Sequence, residues 1–205
     1  MKVTDIESVT NSKYKVYLDE QFAFVLYKGE LSRYQLTVGK ELSEEIYNQI
    51  YKEAVVKRAK LRAMHLLNAM GRTEVQLRQK LIQGHYPERA VDEAIAYVKS
   101  FGYINDTEYA RSFINGRKDK KSRKELYMLL VNKGIKSDIL DEVFEEEYDS
   151  DDSSCAAIKA IMLKRRYNPE EATEKDTQKI LGYLMRKGFK YEDIRKVIQV
   201  SEWNA

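Results

Sequence analysis

The residues best suited to chemistry in this chain are basic, and they stand in clusters. Between Arg117 and Lys124 the cations Arg117, Lys118, Lys120, Lys121, Arg123 and Lys124 face a single acid, Asp119. Lys164, Arg165 and Arg166 form a second cluster, and Lys57, Arg58, Lys60 and Arg62 a third. Side chains of this kind neutralise phosphates along a nucleic-acid backbone, an attraction that falls steeply as salt rises. The same residues also make the ordinary solvated face of an amphipathic helix. Tyr103, Tyr109 and Tyr167 lie near these clusters. There a ring could stack on a base, although a recurring tyrosine more often belongs to a core or its rim.

Other chemically capable residues lack companions. Asp141, Glu142, Glu145, Glu146, Glu147, Asp149, Asp151 and Asp152 make a dense acidic run, which reads as a solvated helix end and loop or as a surface for a basic partner. It has no calcium-loop spacing with its obligatory glycine. His65 and His85 offer no metal-ligand spacing, and Cys155 has no histidine beside it. Neither a phosphate-cradling glycine loop ending in Lys-Ser or Lys-Thr nor a dinucleotide fingerprint occurs. The chain therefore reads as a non-enzymatic protein without cofactor or metal.

A net charge of +3 permits an acidic partner without demanding one. The lone cysteine excludes an internal disulfide and suits a reducing cytoplasm. MKVTDIESVT has no apolar run, and nowhere do about 18 apolar residues follow one another, so neither a signal peptide nor a membrane span is expected.

The elements that must position these side chains begin with a short antiparallel sheet. From Val3 to about Leu36 the pattern has a period near two, with YKVYL and FAFVLY separated by Asp19-Glu20-Gln21. Gly29 and Gly39 read as turns. Ser43, followed by Glu44 and Glu45, opens a helix, and everything beyond is helical in pattern. Pro87 and Pro169 both suit a first helical turn. Thr73 with Gln76, and Ser122 with Glu125, have the capping-box spacing.

The helical part repeats itself. When Leu77, Leu126 and Ile180 are placed together, Leu81, Leu130 and Leu184 coincide without a gap, as do Tyr86, Ile135 and Phe189. So do Val91, Leu140 and Ile194, then Ala94, Val143 and Val197, then Ile95, Phe144 and Ile198; the copies are offset by 49 and 54 residues. Gly134 and Gly188 fall where a helix ends in a left-handed residue, which would pack Ile135 and Phe189 back on Leu130 and Leu184. In the first copy His85 occupies the glycine column. Either it takes positive φ, or that helix stops one residue sooner.

A preceding helix in each copy, about residues 46–70, 107–117 and 154–167, makes three helices per unit. The expected organisation is a β-containing extension over 1–42 and three-helix repeats over 43–103, 104–150 and 151–205. The whole is expected to be mainly α, with the repeats in an elongated array. The acidic EEEYDSDDSS reads as a solvated linker between the second and third repeats.

Three segments carry a family resemblance: FGYINDTEYARSFINGR at 101–117, ELYMLLVNKGI at 125–135 and YLMRKGFKYEDIRKVI at 183–198. With them the chain resembles the RecX family of cytoplasmic bacterial modulators of the RecA recombinase, over about residues 54–200. LNAMGRT departs by placing Met70 where members carry an arginine, with Arg72 two residues on, and KDKKSRKEL replaces a glycine-rich stretch. The resemblance implies a monomeric regulator that lies in the groove of a RecA-type filament on single-stranded DNA. It would there alter strand exchange, ATP hydrolysis and co-protease activity, most simply by inhibition, within DNA repair, recombination and the SOS response. Arg58, Arg62, Arg111, Arg117, Lys118, Lys120, Lys121, Arg123, Lys124, Lys164, Arg165 and Arg166 are the candidate contacts with filament or DNA. The rival reading is a direct binder of single- or double-stranded nucleic acid, built from units like a helix-turn-helix, that competes for DNA.

Overall fold

The structure is a computed structural model that describes residues 1–148 and 150–198, apart from the side chains of residues 150–152. Asp149, the side chains of Asp151 and Asp152, and the end of the third repeat beyond Ile198 lie outside the described residues. The fold is mainly α with a small antiparallel sheet at the start, as the patterning indicates. It divides into two compact units, Met1–Asn105 and a second that begins at Asp106.

The sheet comprises β1 (Val3–Thr10), β2 (Lys13–Leu18) and β3 (Gln21–Tyr27), in that order and antiparallel. Alternation puts Val16, Leu18, Phe24 and Leu26 on the buried face. Asp19 and Glu20, at φ 48° and 66°, form the two-residue turn between β2 and β3, the left-handed pair that matches strand twist. Asp19 tolerates this because its carboxylate accepts from the Lys2 amide at 2.8 Å, while the Thr4 hydroxyl accepts from the Glu20 amide at 2.9 Å.

The sheet stops at Tyr27, short of the expected Leu36. Lys28–Arg33 is instead a short helix, α1, and Gly29 lies inside it rather than in a turn. Glu30 causes the change, because its carboxylate caps the Tyr27 amide at 2.7 Å and also pairs with Arg58, turning the chain out of the sheet. Gly39 does form a turn, at φ 89°, and backbone bonds between Val3 and both Gly39 and Lys40 cover the edge of β1.

Ser43 caps α2 (Glu44–Ile50) by accepting from the Ile46 amide. The helix continues through a π-helical segment, Tyr51–Val56, into α3 (Lys57–Ala69). The wider turn brings Ala54, Val55 and Val56 successively to the buried side, which a 3.6-residue period would not allow. The first repeat is completed by α4 (Glu74–Gln83) and α5 (Glu88–Ser100). The sheet and these helices share one apolar cluster, running from Val3 to Ile104.

The second unit holds α6 (Asp106–Asn115), α7 (Arg123–Val131) and α8 (Ser137–Glu147), then α9 (Ser150–Lys164), α10 (Glu174–Arg186) and α11 (Tyr191–Ile198). Each trio has its own apolar cluster. The aligned leucines Leu81, Leu130 and Leu184 are fully buried. Each such side chain contributes roughly 1.5–3 kcal/mol relative to an exposed one. Two details differ from the sequence reading. The acidic stretch is not a linker: Glu145–Glu147 belong to α8 and Ser150–Ser154 to α9, and Tyr148 between them is buried. Pro169 does not start a helix. It follows Asn168, whose carbonyl accepts from Glu171, in a turn where a fixed φ is suited, and Thr173 supplies the cap of α10 that proline cannot.

One hydrogen-bond pattern closes the middle helix of all three repeats. The amides of Tyr86, Ile135 and Phe189 reach back to the carbonyls of Leu81, Leu130 and Leu184 at 3.3, 3.3 and 3.2 Å. The intervening residue is left-handed each time: His85 at φ 61°, Gly134 at 84° and Gly188 at 89°. The first helix therefore does not stop early, and His85 takes positive φ. Left-handed backbone costs an L-residue about 1–2 kcal/mol, partly offset against the greater unfolded freedom of glycine. His85→Gly should accordingly raise the stability of the first unit by about 0.5–1 kcal/mol, read as slower amide exchange in α4 and α5 and a higher urea midpoint. A lower midpoint would mean that the imidazole itself makes a stabilising contact.

Candidate partner-binding surface

The structure sorts the candidate basic residues into those that hold the protein together and those that face solvent. Arg58 belongs to the first group: it pairs with Glu30, donates to the Val25 carbonyl at 3.0 Å and lies 4.5 Å from the centre of the Tyr27 ring. It ties α3 to the sheet. Arg111 bridges α6 to α8, pairing with Glu108 and contacting Glu146 and Glu147 at 2.7 Å each. Asn115 donates to Glu147 at 2.6 Å and Lys118 to the Glu147 carbonyl at 3.1 Å. Two members of the acidic run, Glu146 and Glu147, are thus answered from within the same repeat. The Arg111 guanidinium is held above its ordinary pKa, first by its hydrogen bond to Glu146 and then by the Glu108 charge.

The turn from Arg117 to Lys124 is a mixed surface. Arg117 covers the Phe113 ring at 4.1 Å and Arg123 lies 5.2 Å from the Phe144 ring, so both spend their flat faces on aromatics while staying exposed. Lys121 pairs with Glu125. Lys120 and Lys124 are exposed and make no ion pair among the described residues. In the third repeat Lys164, Arg165 and Arg166 are all exposed, with Arg165 3.5 Å from the centre of the Tyr183 ring and Arg166 itself a left-handed helix terminator at φ 55°. On α3, Lys57 and Arg62 are exposed, and Lys60 lies 5.1 Å from the Tyr97 ring. Arg72, the arginine displaced in LNAMGRT, donates to the Leu66 carbonyl at 3.4 Å and so caps the end of α3.

The three singled-out tyrosines differ. Tyr167 is half-buried and shares a hydrogen bond with Thr177 at 3.0 Å, and Tyr109 is half-buried beneath Lys133. Tyr103 alone of the three is well exposed, at 58%. Phe101, equally exposed and stacked on Tyr103, and Tyr97 beside it are not among the residues that the sequence pattern singles out. The signal was present in the four-residue spacing of Tyr97 and Phe101, which places both rings on one side of α5 and its end.

The second and third repeats meet where α10 ends against the start of α7. The Ser122 hydroxyl accepts from the Glu125 amide and donates to the Lys187 carbonyl at 2.5 Å, so one side chain serves two helix ends. Gly188 lies so close that a Cβ there would stand 2.8 Å from the Lys124 Cβ. Beside this contact is a groove of about 280 Å³ whose wall includes Arg123, Phe144, Tyr148 and Asp193. Among the described residues no helix is long and apolar enough to cross a membrane.

Comparison with known proteins matches two family models. One is described as RecX, first three-helix domain, over residues 59–97, and the other as RecX, third three-helix domain, over residues 151–198. A regulatory protein RecX from Listeria innocua serovar 6a is 30% identical over 196 residues, covering 94% of this chain and 72% of that protein. One from Caldanaerobacter subterraneus subsp. tengcongensis is 29% identical over 197 residues, covering 96% and 97%. A crystal structure of a regulatory protein RecX superposes with a TM-score of 0.64 at 26% identity, covering 97% of this chain and 98% of that one.

Glu125 is the electrostatic centre of the junction between repeats. Burial alone would raise its pKa, but the hydrogen bond and charge of Lys121, joined by Lys187 at 3.5 Å, outweigh burial and hold the carboxyl below its ordinary range. A group ionised more readily when folded stabilises the fold above its unfolded pKa of about 4.3, and that contribution is lost as pH falls through the lower folded value. The second unit should therefore lose urea resistance below about pH 4.3, and Glu125→Gln should flatten that dependence while lowering neutral stability by no more than about 1 kcal/mol. An unchanged acid profile in Glu125→Gln would remove this carboxylate from the junction.

Proposed function

Because the chain belongs to the RecX family of regulatory proteins, we propose that it binds a RecA-type recombinase filament assembled on single-stranded DNA and inhibits its ATP hydrolysis and strand exchange. One observation carries the reading: similarity to regulatory relatives extends over nearly the whole chain, and the shared frame presents a different set of exposed cations from each repeat. Lys57 and Arg62, Lys120 and Lys124, and Lys164 with Arg166 are the contacts this assigns, whereas Arg58, Arg111, Lys118 and Lys121 keep the frame in shape. Arg117, Arg123 and Arg165 lie between, exposed but laid on rings. Several weak contacts on one chain reinforce each other only where partner sites recur at fixed spacing, which a filament supplies and a free protomer does not. Such work belongs to DNA repair in the cytoplasm and needs no cofactor.

The second reading, competition for DNA itself, draws on the exposed lysines at the turn before α7. ATP hydrolysis by the cognate recombinase on single-stranded DNA should fall by more than half as this protein approaches one copy per few protomers. Undiminished hydrolysis at that coverage sinks the regulatory reading. Lys120→Glu with Lys124→Glu separates the two mechanisms. Loss of DNA binding with full inhibition retained eliminates competition and removes these two lysines from the filament contact; loss of inhibition with DNA binding retained also eliminates competition and keeps them there.

A further inference from the structure

We propose that Phe101 and Tyr103, with Tyr97 and Lys60 beside them, form a platform on which unpaired bases of a single-stranded nucleic acid stack. The inference deepens the proposed function, resting on a filament that contains single-stranded DNA, but it concerns a direct contact with that strand.

The first argument is that Tyr103 is exposed where the fold would hide it. α5 ends as the repeat helices do: the Tyr103 amide reaches back to the Val98 carbonyl at 3.0 Å, around a left-handed Gly102 at φ 69°. In this closing motif the residue after the left-handed one normally packs against the helix it terminates. Ile135, Phe189 and Leu36 do so, buried to 3%, 6% and 5% exposure, and Tyr86 and Tyr167 are half-buried. Tyr103 instead keeps 58% of its surface in solvent, and the next residue, Ile104, enters the core at 6%. Stability of the helix end gives no reason for the exposed ring.

The second argument is preorganisation. Phe101, also 58% exposed, stacks on Tyr103 with ring centres 5.8 Å apart and planes 17° from parallel, and Tyr97 meets Phe101 edge-on at 5.0 Å. Gly102 allows this by turning the chain so that rings two residues apart lie side by side. Rings held in this way lose little freedom when a base stacks on them. A groove of about 440 Å³, lined by Tyr103 with Met64, His65, Leu67 and Asn68, continues the surface along α3.

The third argument is charge. From Lys57 to Ala69, α3 carries four cations and no acid. Arg58 is committed to the sheet, while Lys57 and Lys60 share a face with Met64 and Asn68 at helical spacing. A flat aromatic surface edged by Lys57 and Lys60, which make no ion pair among the described residues, fits bases joined by phosphates, and every base offers a π-face whatever its sequence.

The test uses the full-length chain without recombinase, titrated into a fluorescein-labelled oligothymidylate and into an abasic oligomer of the same length. The platform requires the thymidylate to bind about ten-fold more tightly, and Phe101→Ala with Tyr103→Ala to remove that preference while leaving abasic binding intact. Replacing both rings by leucine, which retains apolar bulk, should remove the preference equally, and Tyr103→Phe should preserve it. Lys57→Gln with Lys60→Gln should weaken both oligomers alike and flatten the salt dependence. Equal binding of the two oligomers by the unaltered protein overturns the proposal, as does a preference that survives the leucine pair. So does a leucine pair that loses inhibition of the recombinase, or dissociates a dimer of this chain, with oligomer binding unchanged; the rings would then meet protein. A thymidylate preference in a protein that leaves recombinase ATP hydrolysis untouched supports the platform and counts only against the regulatory reading.

Discussion

The architecture depends on how its helices are stopped. A helix end leaves carbonyls without partners, and burying such an end is costly unless something donates to them. Here the same solution recurs: one left-handed residue turns the chain, and the amide beyond it returns to a carbonyl five residues earlier. It closes the middle helix of all three repeats, and also α1, α5 and α9, at Gln35, Gly102 and Arg166. Because this closure sends the chain back across the helix it has just left, a short connection suffices to begin the next helix. In the middle helix of each repeat, the buried leucine at the closing carbonyl is then covered by the residue whose amide bonds to it.

That economy has a consequence for charge. With helices so short, much of each repeat is surface, and the chain covers it with 36 cations against 33 acids. Two groups emerge. Cations flanked by carboxylates, such as Arg111 between Glu108 of its own helix and Glu146 and Glu147 of α8, become cross-braces. Cations that no carboxylate answers among the described residues, such as Lys57 and Arg62 on α3, Lys120 in the turn before α7 and Lys164 at the end of α9, remain available. Two of the acidic run's residues, Glu146 and Glu147, likewise answer an arginine of their own repeat.

The junction of the second and third repeats joins the two themes. Ser122 caps α7 and also donates to the last turn of α10, and the glycine that terminates α10 provides the room for Lys124. A helix-stop residue thereby becomes a docking residue. Lys187 and Lys121 share Glu125 across the same contact, so these two lysines are withdrawn from the pool that a partner could reach.

Much of this was legible from the residues alone. Periodicity, caps and the lysine-glycine-hydrophobic segments of the second and third copies identify the helical repeats, because burial and helix termination are local demands that a few positions must meet in every copy. Thr173 is a less conspicuous helix start than Pro169, and the strand pattern runs on past Tyr27 although Glu30 turns the chain there in concert with Arg58, which lies 28 residues away. Which cations are braces and which are free, whether His85 adopts a left-handed backbone, and why Tyr103 is exposed while Tyr167 is not were decided only by tertiary structure. Each depends on what a distant segment places opposite the side chain, and residue type and spacing along one helix carry no record of that.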